Sequence, residues 1–336
     1  MIQSNHNLKK YNTFGIDAIA RYYAEPSSVG EAKAVIAEAS RLRLPLFVLG
    51  GGSNVLFTKD FDGLILKPMI MGIEVLSQHS DKVCVAAGAG VAWDDLVAWC
   101  VEQNLGGLEN LSNIPGTVGA APVQNIGAYG AEVSDAIEKV EGFYVDSLEP
   151  FSLSCAECLF GYRSSIFKTA LRGKALITHV YFSLSSTVQP NTDYGRIEQE
   201  LQHQPDRSIQ SVRRAIISIR SQKLPDPQKL GNAGSFFKNP YVEDGIVQNI
   251  KSLYPEIPVY GSDVYGYSKL PAAFLIDKCG WKGVKVGHVG VHSEQPLVLV
   301  AFEGAKGTQV LELSKQIQSS VKEKFGVILE PEVNVL

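Results

Sequence analysis

The chain lacks what several broad classes of protein would need. No run among its 336 residues is long and apolar enough to cross a bilayer, and the opening MIQSNHNLKK has no apolar h-region. Neither a membrane protein nor a secreted one is expected, and a cytoplasmic protein is the default. Positive charge is in short supply: 31 lysines and arginines face 35 aspartates and glutamates, a net charge of -4. That balance argues against nucleic acid or an anionic membrane as the main partner. The cationic groups present must then be placed locally, for a small anionic ligand. Cysteine is scarce too, five residues at irregular spacing, which makes no disulfide framework. Cys155-Ala156-Glu157-Cys158 spells C-x-x-C, but Cys84, Cys100 and Cys279 supply no second pair for zinc. No metal site is expected, and the pair reads as ordinary thiols in a turn. Internal repeats, low-complexity tracts and charge blocks are absent.

One absence is local and informative. Asn110–Ala131 carries no formal charge, between Glu109 and Glu132, and contains SNIPGTVGAAPVQNIGAYG. Pro115, Pro122, Gln124, Asn125 and four glycines would leave backbone groups unpaired in lipid, so it is no membrane span. Gly116, Gly119, Gly127 and Gly130 free the backbone for positive φ and for close approach of a ligand. The expected product is a rigid neutral surface of backbone N–H donors, suited to a large, planar, partly anionic ligand. A second loop, Gly50-Gly51-Gly52-Ser53-Asn54, follows the apolar run Pro45–Leu49, as when a strand aims amides at phosphate oxygens. The dinucleotide fingerprint G-x-G-x-x-G fails, because its third glycine position is Val55 and Val55-Leu56-Phe57 reads as a strand.

Length alone favours two or three domains. Ser28-x-x-Glu31 makes a capping box for a helix running toward Leu42. With strands 46–49 and 64–66 it forms a small β-α-β unit closing near Ile70. From Met71 strands alternate: 83–87, 140–145, 151–153 and 175–184, with a helix over 92–104 stopped by Gly106. Ser208–Lys223 is the clearest helix, with Ile209, Val212, Ile216 and Ile219 as its buried stripe. Arg213, Arg220 and Lys223 share another face, either solvated or an anion clamp. Pro225 and Pro227 stop this helix and mark the favoured domain boundary. Beyond lie a turn at Gly231–Pro240, helices over about 243–253, 270–279 and 308–325, a strand at 297–302, and a closing strand at 327–336.

The two glycine loops together resemble the FAD site of the UDP-N-acetylenolpyruvoylglucosamine reductases, flavoenzymes of bacterial cell-wall precursor synthesis. Asn12-Thr13-Phe14-Gly15, Phe160–Phe167 (FGYRSSIF), Lys223–Pro227 (KLPDP), Gly231–Pro240 (GNAGSFFKNP) and Leu329–Val333 (LEPEV) extend the resemblance over nearly the whole chain. It implies an α+β protein: a two-lobed FAD-binding region of the vanillyl-alcohol-oxidase/PCMH type, and a C-terminal α+β substrate-binding domain. Lobe 1 is expected at 1–70 with 327–336 returning to it, lobe 2 at 71–224, and the substrate domain at 225–326. Noncovalent FAD is implied, held by Gly50, Gly51, Gly52, Ser53, Asn54, Val55, Ile114, Pro115, Gly116, Gly119, Ala120, Gln124, Asn125, Gly127, Ala128, Tyr129, Gly130 and Arg220. NADPH is the implied co-substrate, UDP-N-acetylglucosamine enolpyruvate the substrate, and a monomer is expected. Tyr194, Lys223, Asn239 and Gln295 are nominated for the nucleotide-sugar diphosphate. The tyrosine in Asp193-Tyr194-Gly195 places the chain with members that carry a tyrosine-bearing substrate loop. Asn334 is a departure, since many relatives carry arginine after Glu332-Val333.

Reducing an enol ether conjugated to a carboxylate sets its own demands. Hydride arrives at the terminal carbon, negative charge develops on its neighbour and spreads into the carboxylate, and that neighbour needs a proton. Arg163 is a permanent cation whose fork suits a carboxylate. Ser235, between Gly234 and two phenylalanines, could be a positioned hydroxyl or a plain turn residue. A neutral Glu330 or Glu332 could donate a hydrogen bond; period 2 would put both on one face, so alternation does not choose. The family resemblance makes Ser235 the proton donor and selects Glu332, with Arg163, to stabilise the enolate-like intermediate. Three other classes compete. A hydrolase triad of Ser235, His288 or His292, and Asp277 lacks the G-x-S-x-G elbow. A binding protein that has lost turnover, and a flavin oxidase of the same cofactor fold, are the others.

Overall fold

The computed structural model describes residues 2–187, 190–194, 196–202, 204–262 and 264–336. The chain divides into two compact units: Met1–His6, Ile19–Gly52 and Phe61–Gln222 form the first, and Asn7–Ala18, Ser53–Asp60 and Lys223–Leu336 the second.

The first unit opens with β1 (Gln3–Asn7), β2 (Ile19–Ala24) and α1 (Val29–Arg41). Ser28 caps α1 by accepting from Glu31 N at 3.2 Å, whereas Glu31 reaches back to Ser27 N at 2.8 Å. The return leg of the expected box therefore lands one residue early. β3 (Leu46–Val48) follows; β4 (Val55–Leu56) belongs to the second unit, and β5 (Phe61–Leu66) returns to the first. The sheet order is β1-β2-β5-β3, with β5 parallel to both β2 and β3. Leu64, Ile65 and Leu66 are fully buried, as the inner strand of a parallel sheet demands. The β-α-β unit expected from the sequence is thus part of a four-stranded sheet. Its polar strand β1 carries no apolar alternation to announce it.

Next come β6 (Ile73–His79), β7 (Lys82–Gly88), α2 (Trp93–Glu102), a short ladder of β8 (Gly127–Ala128) with β9 (Ala131–Glu132), then β10 (Ile137–Tyr144), β11 (Pro150–Ser154) and β12 (Ala175–Ser185). Strands β11-β10-β12-β7-β6 make an antiparallel sheet. Trp93, Leu96, Val97 and Cys100 of α2 share a buried cluster with Val85, Val180 and Phe182 of that sheet. Each such apolar side chain contributes about 1.5–3 kcal/mol on burial. The chain turns after α2 at Asn104, left-handed at φ 56°, and not at the expected Gly106. α3 (Ile197–Leu201) and α4 (Ile209–Lys223) bury Ile197, Leu201, Val212, Ile216 and Ile219 together. Asp206 starts α4: its carboxylate accepts from Ser208 Oγ, Ser211 Oγ and Ser208 N, which hold it down at about 2.

The second unit continues with β13 (Gly231–Ser235), β14 (Tyr241–Glu243), α5 (Asp244–Leu253), β15 (Tyr267–Lys269) and α6 (Ala272–Lys278). It ends with β16 (Lys285–Val286), β17 (Val289–Val291), β18 (Val298–Ala301), α7 (Gly307–Phe325) and β19 (Asn334–Val335). Its main sheet has the order β13-β18-β17-β16, and β14 pairs with β15. Two expectations need correcting. The stretch taken as a turn from Gly231 is a strand as far as Ser235, because its partner is β18, distant in sequence. The closing strand shrinks to β19, which runs parallel to β4; Pro331 makes only an isolated bridge to Phe237.

Candidate active site

In the first unit the neutral stretch is assembled from three short 3-10 turns and the β8–β9 ladder. Of its four glycines only Gly116 (φ 133°) and Gly130 (φ 78°) need the left-handed region, which Asn113, Asn125 and Tyr129 also occupy. Gly119 is glycine for want of room, since a Cβ there would lie 2.6 Å from Ala89 Cβ. The same holds where the loops meet. A Cβ on Gly51 would come within 2.7 Å of Gly116 Cα, and one on Gly50 within 2.9 Å of Ala120 Cβ and Thr117 Oγ1. Two glycine segments far apart in sequence therefore make one backbone surface. Ser53, Asn54 and Val55, read as part of the first loop, fall in the second unit.

The first turn of α2 braces this surface. Trp93 N donates to Gly116 O at 3.1 Å, and its indole Nε1 to Leu111 O at 2.9 Å. Asp94 accepts from Asn113 N at 2.5 Å and takes Arg213 in a two-pronged pair at 2.7 and 2.9 Å. Burial pushes the Asp94 carboxyl up, but the guanidinium and Asn113 N–H outweigh it and hold it below the ordinary range. Arg213 is thereby a structural partner, not part of an anion clamp. Arg220 donates to Asn113 O at 3.0 Å and lies beside Tyr129. Burial lowers the Arg220 guanidinium's pKa, with Tyr129 and Asp94 offsetting only part. A desolvated cation so incompletely balanced beside a neutral amide-rich surface fits an anionic cofactor such as FAD. Burial likewise raises the Tyr129 phenol.

Asn125, 1% exposed, spends its side chain inside the protein. Its Nδ2 reaches Glu132 Oε2 at 2.7 Å and Gly161 O at 3.2 Å, while Oδ1 accepts from Ser134 N at 3.1 Å. Any part it plays toward a cofactor runs through its shape and backbone. Arg163 sits at φ 53° in the tight Gly161–Ser164 turn and donates to Gly127 O at 2.7 Å and Asn125 O at 3.4 Å. Tyr194 is 51% exposed and meets Tyr129 edge-on at 6.1 Å; Gly195 of its motif lies outside the described residues. Ile114 packs against the sheet core, and Gln124, Ala128 and Gly130 line the same stretch. Pro115 is exposed there.

The second unit holds the other candidates. Asn232 faces Val300 and Ser235 faces Val298, so β13 carries one extra residue: a bulge, with Gly234 left-handed at φ 68°. Asn232 Oδ1 fixes it by accepting from Gly234 N at 2.9 Å. A bulge of this kind re-aims a side chain, and here Ser235 is exposed while Phe236 and Phe237 are buried. Glu332 N donates to Phe236 O at 2.8 Å, which holds Glu332 beside the residue next to Ser235. Glu330 is exposed and pairs with Lys238 at 3.3 Å, whereas Glu332 is half-buried. Alternation failed to separate them because no strand runs there. Asn54 Nδ2 donates to Glu332 O at 3.3 Å, and Asn334 closes on Asn54 O through both N and Nδ2 at 3.1 Å. Asn239 Oδ1 caps the start of α6 at Ala272 N, 3.0 Å away. Gln295 lies in a turn pinned by His292 Nδ1, and Lys223 ends α4, half-buried.

The hydrolase reading gains nothing. His292 Nδ1 accepts from its own turn, His288 Nδ1 bonds Glu303 O, and among the described residues Ser235 bonds neither ring. Cys158 is fully buried and burial pushes its thiol up to about 12, with Cys155 raised as well. Among the described residues no group of His, Cys, Asp and Glu could hold a metal. The residues that sequence reasoning missed are Asp94, Asn110 and Asn232. Asp94 and Asn110 work through contacts distant in sequence, which leave no local signal, whereas the side chain of Asn232 bonds nearby backbone at Pro225, Leu230 and Gly234.

A family model described as UDP-N-acetylenolpyruvoylglucosamine reductase, C-terminal domain, matches residues 226–336, and one described as FAD binding domain matches 20–145. A UDP-N-acetylenolpyruvoylglucosamine reductase of Amoebophilus asiaticus is 45% identical, over 100% of this chain and 99% of the relative. One from Pseudomonas putida is 44% identical, over 99% of this chain and 98% of its own length. The crystal structure of the reductase from Thermus caldophilus superposes with a TM-score of 0.70 at 25% identity, covering 100% of this chain and 98% of that one. With near-half identity over its whole length, the chain belongs to the UDP-N-acetylenolpyruvoylglucosamine reductase family.

Proposed function

We propose that the chain catalyses the FAD-dependent, NADPH-driven reduction of the enolpyruvyl group of UDP-N-acetylglucosamine enolpyruvate to UDP-N-acetylmuramate. It does so as a cytoplasmic monomer without a nucleic-acid or membrane partner; among the described residues no helix is long and apolar enough to cross a membrane. The observation that carries the chemistry is the bulge in β13. It turns a hydroxyl out of a strand whose next two side chains are buried, one peptide from the backbone contact that holds Glu332.

FAD, held by the Gly50–Val55 and Ile114–Gly130 segments with Arg220, would supply the two-electron chemistry between NADPH and substrate. Ser235 gives its proton to the carbon next to the carboxylate and regains one from solvent. Arg163, and Glu332 in its protonated form, hold the carboxylate as it takes up negative charge, which lowers the barrier only while that charge exists. Tyr194, Lys223, Asn239 through its NH2 end, and Gln295 bind the diphosphate. The test is a pair of anaerobic half-reactions. NADPH should bleach the yellow of the purified protein, and the enolpyruvyl nucleotide sugar should restore it. A colourless protein that takes up no FAD, or colour that returns with no substrate consumed, overturns the proposal.

A further inference from the structure

We propose that Asn110 is a positioning residue that fastens the segment carrying Tyr194 to the neutral stretch, and so sets affinity for the nucleotide sugar. The inference rests on the reading of Tyr194 given above. Asn110 is 3% exposed and lies in a rigid one-turn helix, Glu109–Leu111. That turn is tied by Glu109 Oε2 to Gly107 N at 2.7 Å, and by Ser112 Oγ to Glu109 O at 2.6 Å. Its amide nitrogen donates twice, to Tyr129 O at 2.9 Å and to Asn191 O at 3.0 Å. Its Oδ1 is buried and takes no protein donor. The side chain therefore works by donation alone, one N–H on each of two segments.

The surroundings show that the two segments need the fastening. Gly130 follows Tyr129 at φ 78°, and a Cβ there would lie 3.4 Å from Tyr194 Cβ and 3.7 Å from Asn191 Nδ2. The rings of Tyr129 and Tyr194 meet edge-on. Asn191 Oδ1 holds Asp193 N at 3.2 Å, and Tyr194 O accepts from Ile197 N at 3.3 Å where α3 begins. Among the described residues, apart from these exposed contacts and one ring edge, the buried tie between Asn191–Tyr194 and Tyr129 is the amide of Asn110. Two such bonds, each of ordinary strength, are enough to set whether an exposed segment is held or free.

The test is a double-mutant cycle on the full chain with FAD bound. Asn110→Ala should keep its flavin and raise KM for the enolpyruvyl nucleotide sugar about tenfold, with kcat moving far less. Asn110→Asp keeps the shape and removes the donors, so it should raise KM at least as much; a KM like the parent's would mean packing, and would overturn the proposal. In a Tyr194→Ala background Asn110→Ala should change KM less than about twofold. A second full tenfold loss there shows action by another route and overturns it. Tyr194→Ala with a normal KM removes the reading of Tyr194, and with it the claim about substrate. Trypsin cleavage after Arg196, without substrate, reads the fastening by itself. It should run several-fold faster in Asn110→Ala, and an unchanged rate refutes the fastening whatever the kinetics.

Discussion

The two compact units present their candidate residues in opposite ways. In the first, backbone does the presenting. Gly51 and Gly116 abut, Asn125 is consumed by internal bonds, and Asp94 and Arg213 exist to hold Asn113. In the second, side chains do it: a bulge exposes Ser235, and backbone bonds to Phe236 and Lys238 lay the Glu330–Glu332 segment alongside. The contrast teaches that substitutions at the abutting backbone of the first unit, such as Gly51, should act on cofactor binding, and substitution of the side chain the bulge exposes, Ser235, on turnover.

The largest effect expected is at Ser235. Ser235→Ala should bleach with NADPH at a near-normal rate but recover colour with substrate roughly 10²–10⁴-fold more slowly, the usual range for a lost general acid. Stopped-flow flavin absorbance reads both steps. Equal slowing of both would place the serine among the pocket's structural parts and erase the contrast. Next come Tyr194→Phe and Lys223→Ala, each expected to weaken nucleotide-sugar binding by about 1.5–3 kcal/mol, on the order of tenfold to a hundredfold, with flavin content intact. Titration calorimetry on the oxidised protein checks this, and unaltered binding in both would remove them from the substrate site.

Gly51→Ala sharpens the other side. Its Cβ has backbone 2.7 Å away, and overpacking of that kind costs about 1–3 kcal/mol. The purified variant should lose FAD on dilution while still folding; full flavin occupancy would show that the abutting loops are not the cofactor's seat. The smallest effect concerns pH. Asp94 is held below the ordinary carboxyl value in the folded protein, so what it contributes is complete above about pH 3.9 and is lost as pH falls through its lower folded value. Parent and Asp94→Asn should differ in flavin retention near neutrality and converge below that range. A gap that persists in strong acid would mean the pair matters for packing alone.

Much of this could be seen in the sequence, and the failures share one cause. Helices α1, α4 and α7 were legible because a capping serine, a 3.6-residue stripe and a proline stop are all local. The inner strands β5, β7 and β12 were legible from apolar runs. Strand β1 was not, since Gln3–Asn7 is polar and exposed, and β13 was taken for a turn because its pairing partner lies far along the chain. Among site residues, the glycines announced themselves, but Gly50, Gly51 and Gly119 proved to be glycine for packing rather than for φ. Asp94 and Asn110 stayed hidden: an acid in a helix's first turn, and an asparagine near glycines, look the same whether or not a distant carbonyl or arginine waits for them; Asn232 stayed hidden because the bulge it holds arises only from pairing with the distant β18.

The second unit is stitched from three stretches of chain, and that has a bearing on how it is made. Val55, Leu56 and Phe57 are buried, yet their neighbours are β19 and the start of α7, where Gly307 has room for no Cβ against Phe57 O at 1.8 Å. Asn54 and Glu332 stand 278 positions apart, so at a ribosome's pace of about 5–20 residues per second this apolar triplet waits roughly 14–56 s for its cover. Throughout that interval the nascent chain carries a hydrophobic segment whose native cover, α7 and β19, has yet to be made.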